Sequence, residues 1–341
     1  MRTSIRSRGL IVAAAVALLA IAGGGCGEKQ DRVAPGEPTP IDVALDFYVN
    51  PDHAGLLVAR DLGYFRRAGL DVKLRTPSDP SAPIRQLAAG RADLAVSYEP
   101  ETILAANEGL DLVAIAALVD RPLTSLIWLP ESGIEGPQSL RGKTVATAGV
   151  PYQRDYLRTI LEAKGISESE VDVVNVGLGL LPALLGGRAD AVLGAFSNIE
   201  GVELERRGTD PQIVPVNELG VPTYDELVLV ARRESVDDMA QELELFLKAL
   251  ADGTAAAVDD PSLATEAVLE AGDGLDPAAT KAQVMATLPL LATRPGRRFG
   301  QMDPDQWSNF AAWMSSQGLI GDPPSGDELI TNELLPPLPR D

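Results

Sequence analysis

Two stretches of the chain put aromatic and acidic or amide residues directly behind an apolar run. Tyr98, Glu99 and Glu101 follow GRADLAVS, and Phe196, Asn198 and Glu200 follow GRADAVLGA. Aromatic faces can stack on a flat ring, and carboxylates can take the protons of an exocyclic amine, so this combination points to recognition of a planar, nitrogen-rich molecule. Residues of the same types recur at other segment ends. Phe47 closes and Asn50 follows the run IDVALDF, Tyr152 opens a helical segment, and Tyr224 and Glu226 precede LVLVAR. Phe, Trp and Tyr make up only 4% of the chain, which makes their gathering at these places informative.

Other chemistries find fewer parts. His53 is the single histidine and Cys26 the single cysteine, so neither a zinc site nor a Cys–His pair can be assembled from them. No GxSxG elbow surrounds a serine. GPQSLRGKT at 136–144 imitates a phosphate loop, but five residues separate its glycines and a strand follows it, so it reads as a turn between helix and strand. His53 is expected to line a cleft or cap the helix it begins. The net charge of −20 argues against nucleic acid and anionic membrane surfaces as partners.

Strand-like and helix-like segments alternate along the chain. IDVALDF (41–47) is a strand, 53–69 a helix ending at Gly69, LDVKLRTP (70–77) a strand, APIRQLAAG a short helix and DLAVSY a buried strand. The same order returns after Pro130, ending in LPALLGG and ADAVLGAF. Each GRAD therefore closes a short helix on glycine and starts a strand. Alternation of this kind implies an α/β architecture with largely parallel sheets, whose ligands sit beyond the carboxyl ends of the strands. Two such units face each other as lobes across a cleft. After Arg232 the pattern turns helical with no third copy, so the chain crosses back and completes the first lobe. The expected division is residues 41–125 and 230–341 for one lobe and 126–229 for the other, with two crossovers as the hinge.

The first residues read as an export signal. Arg2, Arg6 and Arg8 precede an apolar run too short for a permanent membrane span, and Gly23-Gly24-Gly25 lead into Cys26 as in a lipoprotein signal. Residues 1–25 would be removed and 26–40 would form a lipidated, Pro-rich tether, making a lipid anchor the only link to the membrane.

LDFYVNPDHAGLLVARDLGYFRRAGLDV, VGLGLLPALLGGRADAVLGAFSNIEGVELE, VPTYDELVLVAR and the late TNELLP together resemble the thiamine-pyrimidine-precursor-binding lipoproteins of bacterial ABC importers. The resemblance implies a type II periplasmic-binding-protein fold, no enzymatic activity and no cofactor. It also implies an aminopyrimidine ligand and delivery by a monomeric receptor to a permease and an ATPase. It places Glu200 on the family's acidic ligand position. With the residue chemistry it gives an expected ligand set of Phe47, Asn50, His53, Tyr98, Glu99, Tyr152, Phe196, Asn198, Glu200 and Tyr224. The family often has tryptophan and proline where this chain has Phe47 and Val49, and tyrosine in place of Phe196. The fungal pyrimidine synthases are similar too, but they use a lysine, a histidine and a cysteine-rich segment. These correspond here to Ser97, Glu101 and VPTYDELVLV, so binding is expected rather than catalysis.

Overall fold

The computed structural model describes residues 37–338 except Pro80 and Ala292. Cys26, the export signal and most of the tether lie outside the described residues.

The described residues build two five-stranded sheets with one shared plan. In the first, β1 (Thr39–Ala44) pairs in parallel with β2 (Leu70–Arg75) and β3 (Leu94–Ser97), and β4 (Leu112–Val119) lies at the far edge. The second contains β5 (Thr124–Trp128), β6 (Thr144–Thr147), β7 (Asp172–Asn175), β8 (Ala191–Phe196) and β9 (Gln212–Pro215), in the order β7-β6-β8-β5-β9. The last strand, β10 (Leu227–Arg232), returns to the first sheet and runs antiparallel between β3 and β4. β5 occupies the equivalent antiparallel place between β8 and β9. Each lobe thus receives its antiparallel strand from the chain as it enters or re-enters. β4 reads LVAIAALV and every residue in it is buried, as expected of a strand covered on both faces.

The GRAD repeat has a physical basis in both lobes. Gly90 and Gly187 adopt φ of 65° and 66°, a left-handed conformation that stops the preceding helix at little steric cost. Three residues on, the aspartate then fastens the neighbouring strand. Asp93 Oδ2 accepts from Asp42 N and Asp190 Oδ2 from Thr144 N, both at 2.8 Å, while the two aspartate amides donate back to the same residues' carbonyls. One four-residue device sets the register of β3 against β1 and of β8 against β6.

Several boundaries differ from the sequence reading. The crossovers lie at 120–123 and 219–226, so the divisions at 125/126 and 229/230 fall inside β5 and β10, each of which belongs wholly to one sheet. The helix expected over 53–69 is interrupted. Pro51–His53 form a 3-10 turn, Ala54–Asp61 a helix, and Gly63 at φ 71° breaks the chain before the short helix Tyr64–Arg67. The first strand ends at Ala44, and three residues on Phe47 reaches the space between the lobes.

The C-terminal helices cover the first lobe. Helix Ala240–Asp259 crosses Ala54–Asp61 closely: a Cβ on Gly253 would come within 2.5 Å of Ala59 Cβ, and one on Gly55 within 2.2 Å of Thr254 Oγ1. The helix Pro277–Leu291 also reaches the second lobe, where Gln283 Nε2 donates to Ile199 O at 3.1 Å. At the crossovers Glu226 is wholly buried and accepts from Leu123 N, Thr124 N and Thr124 Oγ1 at 2.7–2.9 Å and from Tyr224 Oη at 3.0 Å. Its carboxyl is shifted upward by burial, and these donors oppose the shift.

Candidate ligand-binding site

The ends of β1, β3 and β8 and the start of the helix Pro151–Glu162 converge on a cavity between the lobes. Phe47, Asn50 and Tyr98 line it from the first lobe, and Tyr152, Gln153, Leu180, Phe196, Ile199 and Glu200 from the second. Thr124, at the crossover, completes one wall. Pro151 at the first position of its helix suits that helix start and puts Tyr152 and Gln153 on the first turn, beside the cavity.

Three rings form a corner. Tyr98 stands 6.5 Å from Phe196 with the planes at 89°, and 6.4 Å from Tyr152 at 66°. A flat ring laid on Phe196 is therefore perpendicular to Tyr98, and both arrangements are favourable for aromatic pairs. Tyr98 is held from behind. Its hydroxyl donates to Asp46 Oδ2 at 2.8 Å, and Asp46 Oδ1 lies 2.8 Å from His53 Nε2. His53 Nδ1 accepts from Asn50 N at 3.3 Å, so the hydrogen bonds assign the ring proton to Nε2, facing Asp46. Asn50 Oδ1 in turn accepts from Asp52 N at 2.8 Å, closing a capping box around the Pro51–His53 turn.

Glu200 lines the cavity half-buried, and its Oε2 accepts from Phe196 N at 2.8 Å. Burial raises its pKa above the usual carboxylate range, opposed by the Phe196 amide and its own. Its Oε1 has no side-chain partner among the described residues, which leaves an acceptor beside the aromatic corner.

The remaining expected residues sit elsewhere. His53 is wholly buried behind Tyr98 and caps its turn instead of lining the cavity. Tyr224 is wholly buried, bonded to Glu226 and packed 5.0 Å from Phe310 and 5.7 Å from Tyr156. Glu99 also lies off the cavity. Its Oε2 accepts from Asp225 N at 2.7 Å and Gln306 Nε2 at 2.8 Å; burial, then the charge of Asp225, push its pKa well up. Asn198 crosses between lobes, where its Nδ2 donates to Asp52 Oδ1 at 2.7 Å and Thr287 Oγ1 at 2.8 Å. Asp52 Oδ2 and Asn198 Oδ1 are both sealed without a partner among the described residues, and burial is the main cause raising the Asp52 pKa to about 7. Glu101, the other carboxylate after the first GRAD strand, accepts from Ser97 Oγ at 2.8 Å and is pushed by burial to about 7. Reading the sequence missed Gln153, Thr124, Leu180 and Ile199; for Gln153 the one signal was its place beside Tyr152 at a helix start.

The profile of the family described as NMT1/THI5 like matches residues 50–264, well over half of the chain. The chain belongs to the NMT1/THI5-like family. A putative thiamine biosynthesis protein of Haemophilus influenzae is 37% identical over 285 residues, covering 82% of this chain and 88% of that protein. The formylaminopyrimidine-binding protein of Halalkalibacterium halodurans is 32% identical over 295 residues, covering 86% and 89%. A 4-amino-5-hydroxymethyl-2-methylpyrimidine phosphate synthase of Uromyces fabae is more distant, at 28% over 65% of this chain and 67% of its own. Among solved structures, the alkanesulfonate-binding protein SsuA of Xanthomonas axonopodis pv. citri superposes with a TM-score of 0.69 at 14% identity, over 87% of this chain and 99% of its own. This NMT1/THI5-like chain has the two-lobed periplasmic-binding-protein fold, with each lobe built on one of the two sheets.

Proposed function

We propose that this chain is an exported, lipid-anchored solute receptor of an ABC importer. It closes its lobes around an aminopyrimidine precursor of thiamine, a formylaminopyrimidine or a hydroxymethylpyrimidine. The observation that carries this reading is the cavity itself: a perpendicular set of aromatic rings from both lobes next to a carboxylate whose Oε1 has no side-chain partner. Stacking holds the flat ring, and Glu200 accepts from its amine. The relation to a formylaminopyrimidine-binding protein supports the same ligand class. Closure is the signal to the permease and ATPase, because only the closed state offers contacts from both lobes. Cys26 carries the acyl anchor and the receptor acts as a monomer.

A pyridoxal-phosphate-consuming synthase is disfavoured by the residues at the positions it needs. Ser97 and Glu101 are buried, bonded to each other and off the cavity wall. Calorimetry on protein lacking residues 1–26, with hydroxymethylpyrimidine and formylaminopyrimidine as probes, tests the reading directly. Saturable one-to-one binding of at least one is expected, together with no Schiff-base absorbance on adding pyridoxal phosphate. Failure of both probes to bind removes the aminopyrimidine assignment, and absorbance lost on mutating residues near Ser97 reinstates the enzyme.

A further inference from the structure

The cavity holds a second polar group with unused capacity. Gln153 is buried, and its Oε1 accepts from Ala148 N at 2.9 Å. Only an oxygen can accept there, so the hydrogen bond fixes which end of the amide is which. The NH2 end is pressed flat against β8. A Cβ on Gly194 would fall 2.3 Å from Nε2, and Gly194 itself adopts φ 111°, which a side chain would strain. Gly194 therefore clears the space in which this amide lies. Nε2 meets no acceptor among the described residues, yet it is not one of the polar atoms sealed from solvent, and the residue lines the cavity. The donor is aimed at whatever occupies it.

Of the other polar residues on the wall, Tyr98, Asn50 and Thr124 are engaged, whereas the Tyr152 hydroxyl meets no partner among the described residues. Asn50 spends its side chain on Asp52 N and Tyr48 O, and Thr124 donates to Glu226. The cavity thus presents an oriented donor, Gln153 Nε2, an open acceptor, Glu200, and the Tyr152 hydroxyl, which can act as either. The amide and the carboxylate are anchored at Gly194 and at Phe196 N, two residues and about 7 Å apart along β8. That separation is wider than two adjacent positions of a six-membered ring.

We infer that Gln153 is a specificity-determining residue, whose amide donates to the ring nitrogen lying across the pyrimidine from the amine that Glu200 accepts. This rests on the aminopyrimidine reading and adds the second half of the recognition. A donor paired with an acceptor at opposite ends of the ring selects the neutral base and rejects rings that carry a hydrogen at that nitrogen.

Gln153→Glu tests it, because the new carboxylate can still accept from Ala148 N but offers no donor to the ligand. The nitrogen across from the amine is the one that takes a proton in mildly acid solution. With hydroxymethylpyrimidine as probe, the wild type should bind more tightly as pH rises from 5.5 to 8. Gln153→Glu should bind about tenfold or more weakly at pH 8, and should recover toward low pH, where the protonated ring donates to it. Glu200 titrates as well and feels the new carboxylate, so the same pH series with Glu200→Gln in both proteins separates its share. Wild-type affinity at pH 8 in the variant overturns the inference, and so does a weaker profile parallel to the wild type, which marks a packing role. Should Gln153→Glu fail to fold, the Gln153 side-chain NH2 resonance of the wild type decides: it should move on adding the probe, and an unmoved signal in a saturated sample overturns the inference. If the wild type binds no aminopyrimidine at all, the functional reading itself fails, an outcome distinct from the others.

Discussion

The two strand ends that follow GRAD start from similar residues and are put to different uses. After β3, the polar groups turn into the protein: the Tyr98 hydroxyl goes to Asp46, Glu99 Oε2 takes Asp225 N and Gln306, Glu101 takes Ser97, and Glu99 Oε1, without a partner among the described residues, is sealed away from the cavity. Only the ring of Tyr98 faces the cavity. After β8, Phe196 contributes a ring, Asn198 reaches across to the first lobe, and Glu200 keeps Oε1 open. One copy of the unit has become architecture around the hinge, and the other holds the chemistry that can meet a ligand. A shared motif therefore marks a shared fold position and leaves the role to the partners that tertiary structure supplies.

The sharpest way to break this comparison is to remove a carboxylate from each end. Glu99→Ala strips the acceptor from two buried donors and opens a void, so it should cost about 2–4 kcal/mol of stability while leaving aminopyrimidine affinity within about threefold. Denaturant unfolding and calorimetry on the same sample read both quantities, and a large affinity loss at unchanged stability would move Glu99 into the site. Glu200→Gln should do the reverse. A charge-assisted hydrogen bond of roughly 1.5–3 kcal/mol predicts affinity lower by about ten- to a hundredfold with little change in melting temperature. Unchanged affinity in a folded Glu200→Gln protein removes it from the site.

The smallest expected effect concerns Asn198 and its partner Asp52, whose pKa is raised to about 7, chiefly by burial. A carboxyl whose folded-state pKa lies above its ordinary 3.8 contributes most when protonated, and that contribution declines as pH rises toward about 7. Thermal stability should therefore increase from pH 8 to pH 5. Asp52→Asn should show a smaller increase, because Glu101 and Asp225, both raised to about 7, keep theirs. Identical slopes in wild type and variant would exclude Asp52 as a contributor.

Much of the frame was legible in the sequence because it depends on short-range signals. Gly90 and Gly187 end helices through local backbone geometry, and Asp93 and Asp190 fasten strands that the alternating pattern already announces. The aromatic residues after the strands were legible as a group for the same reason, and the structure sets Phe47, Tyr98, Tyr152 and Phe196 around one cavity. What stayed hidden depends on contacts far apart in the chain. Glu99 and Asp225 meet across 126 residues, and Asn198 and Asp52 across 146, so no local pattern could tell a carboxylate spent on the hinge from one left open to ligand. His53 misled because a lone histidine beside a cleft sequence looks available, whereas Asn50 and Asp46 occupy both its nitrogens. Gln153 escaped because a glutamine in a first helical turn normally faces water; only the close approach permitted by Gly194 draws it inside.

Glu226 joins the two crossovers at a single point, since its carboxylate, on the returning segment, takes donors from Leu123 and Thr124 on the outgoing one. Two straps tied together at mid-length behave as one axle. A swing of one lobe about that axle can leave the three bonds between the segments intact, whereas sliding the lobes past each other would have to pull them apart. Thr124 is both a donor to the axle and part of the cavity wall, so a swing about the axle moves it least. An arriving solute meets it as the fixed landmark in a chamber whose other walls are still arriving.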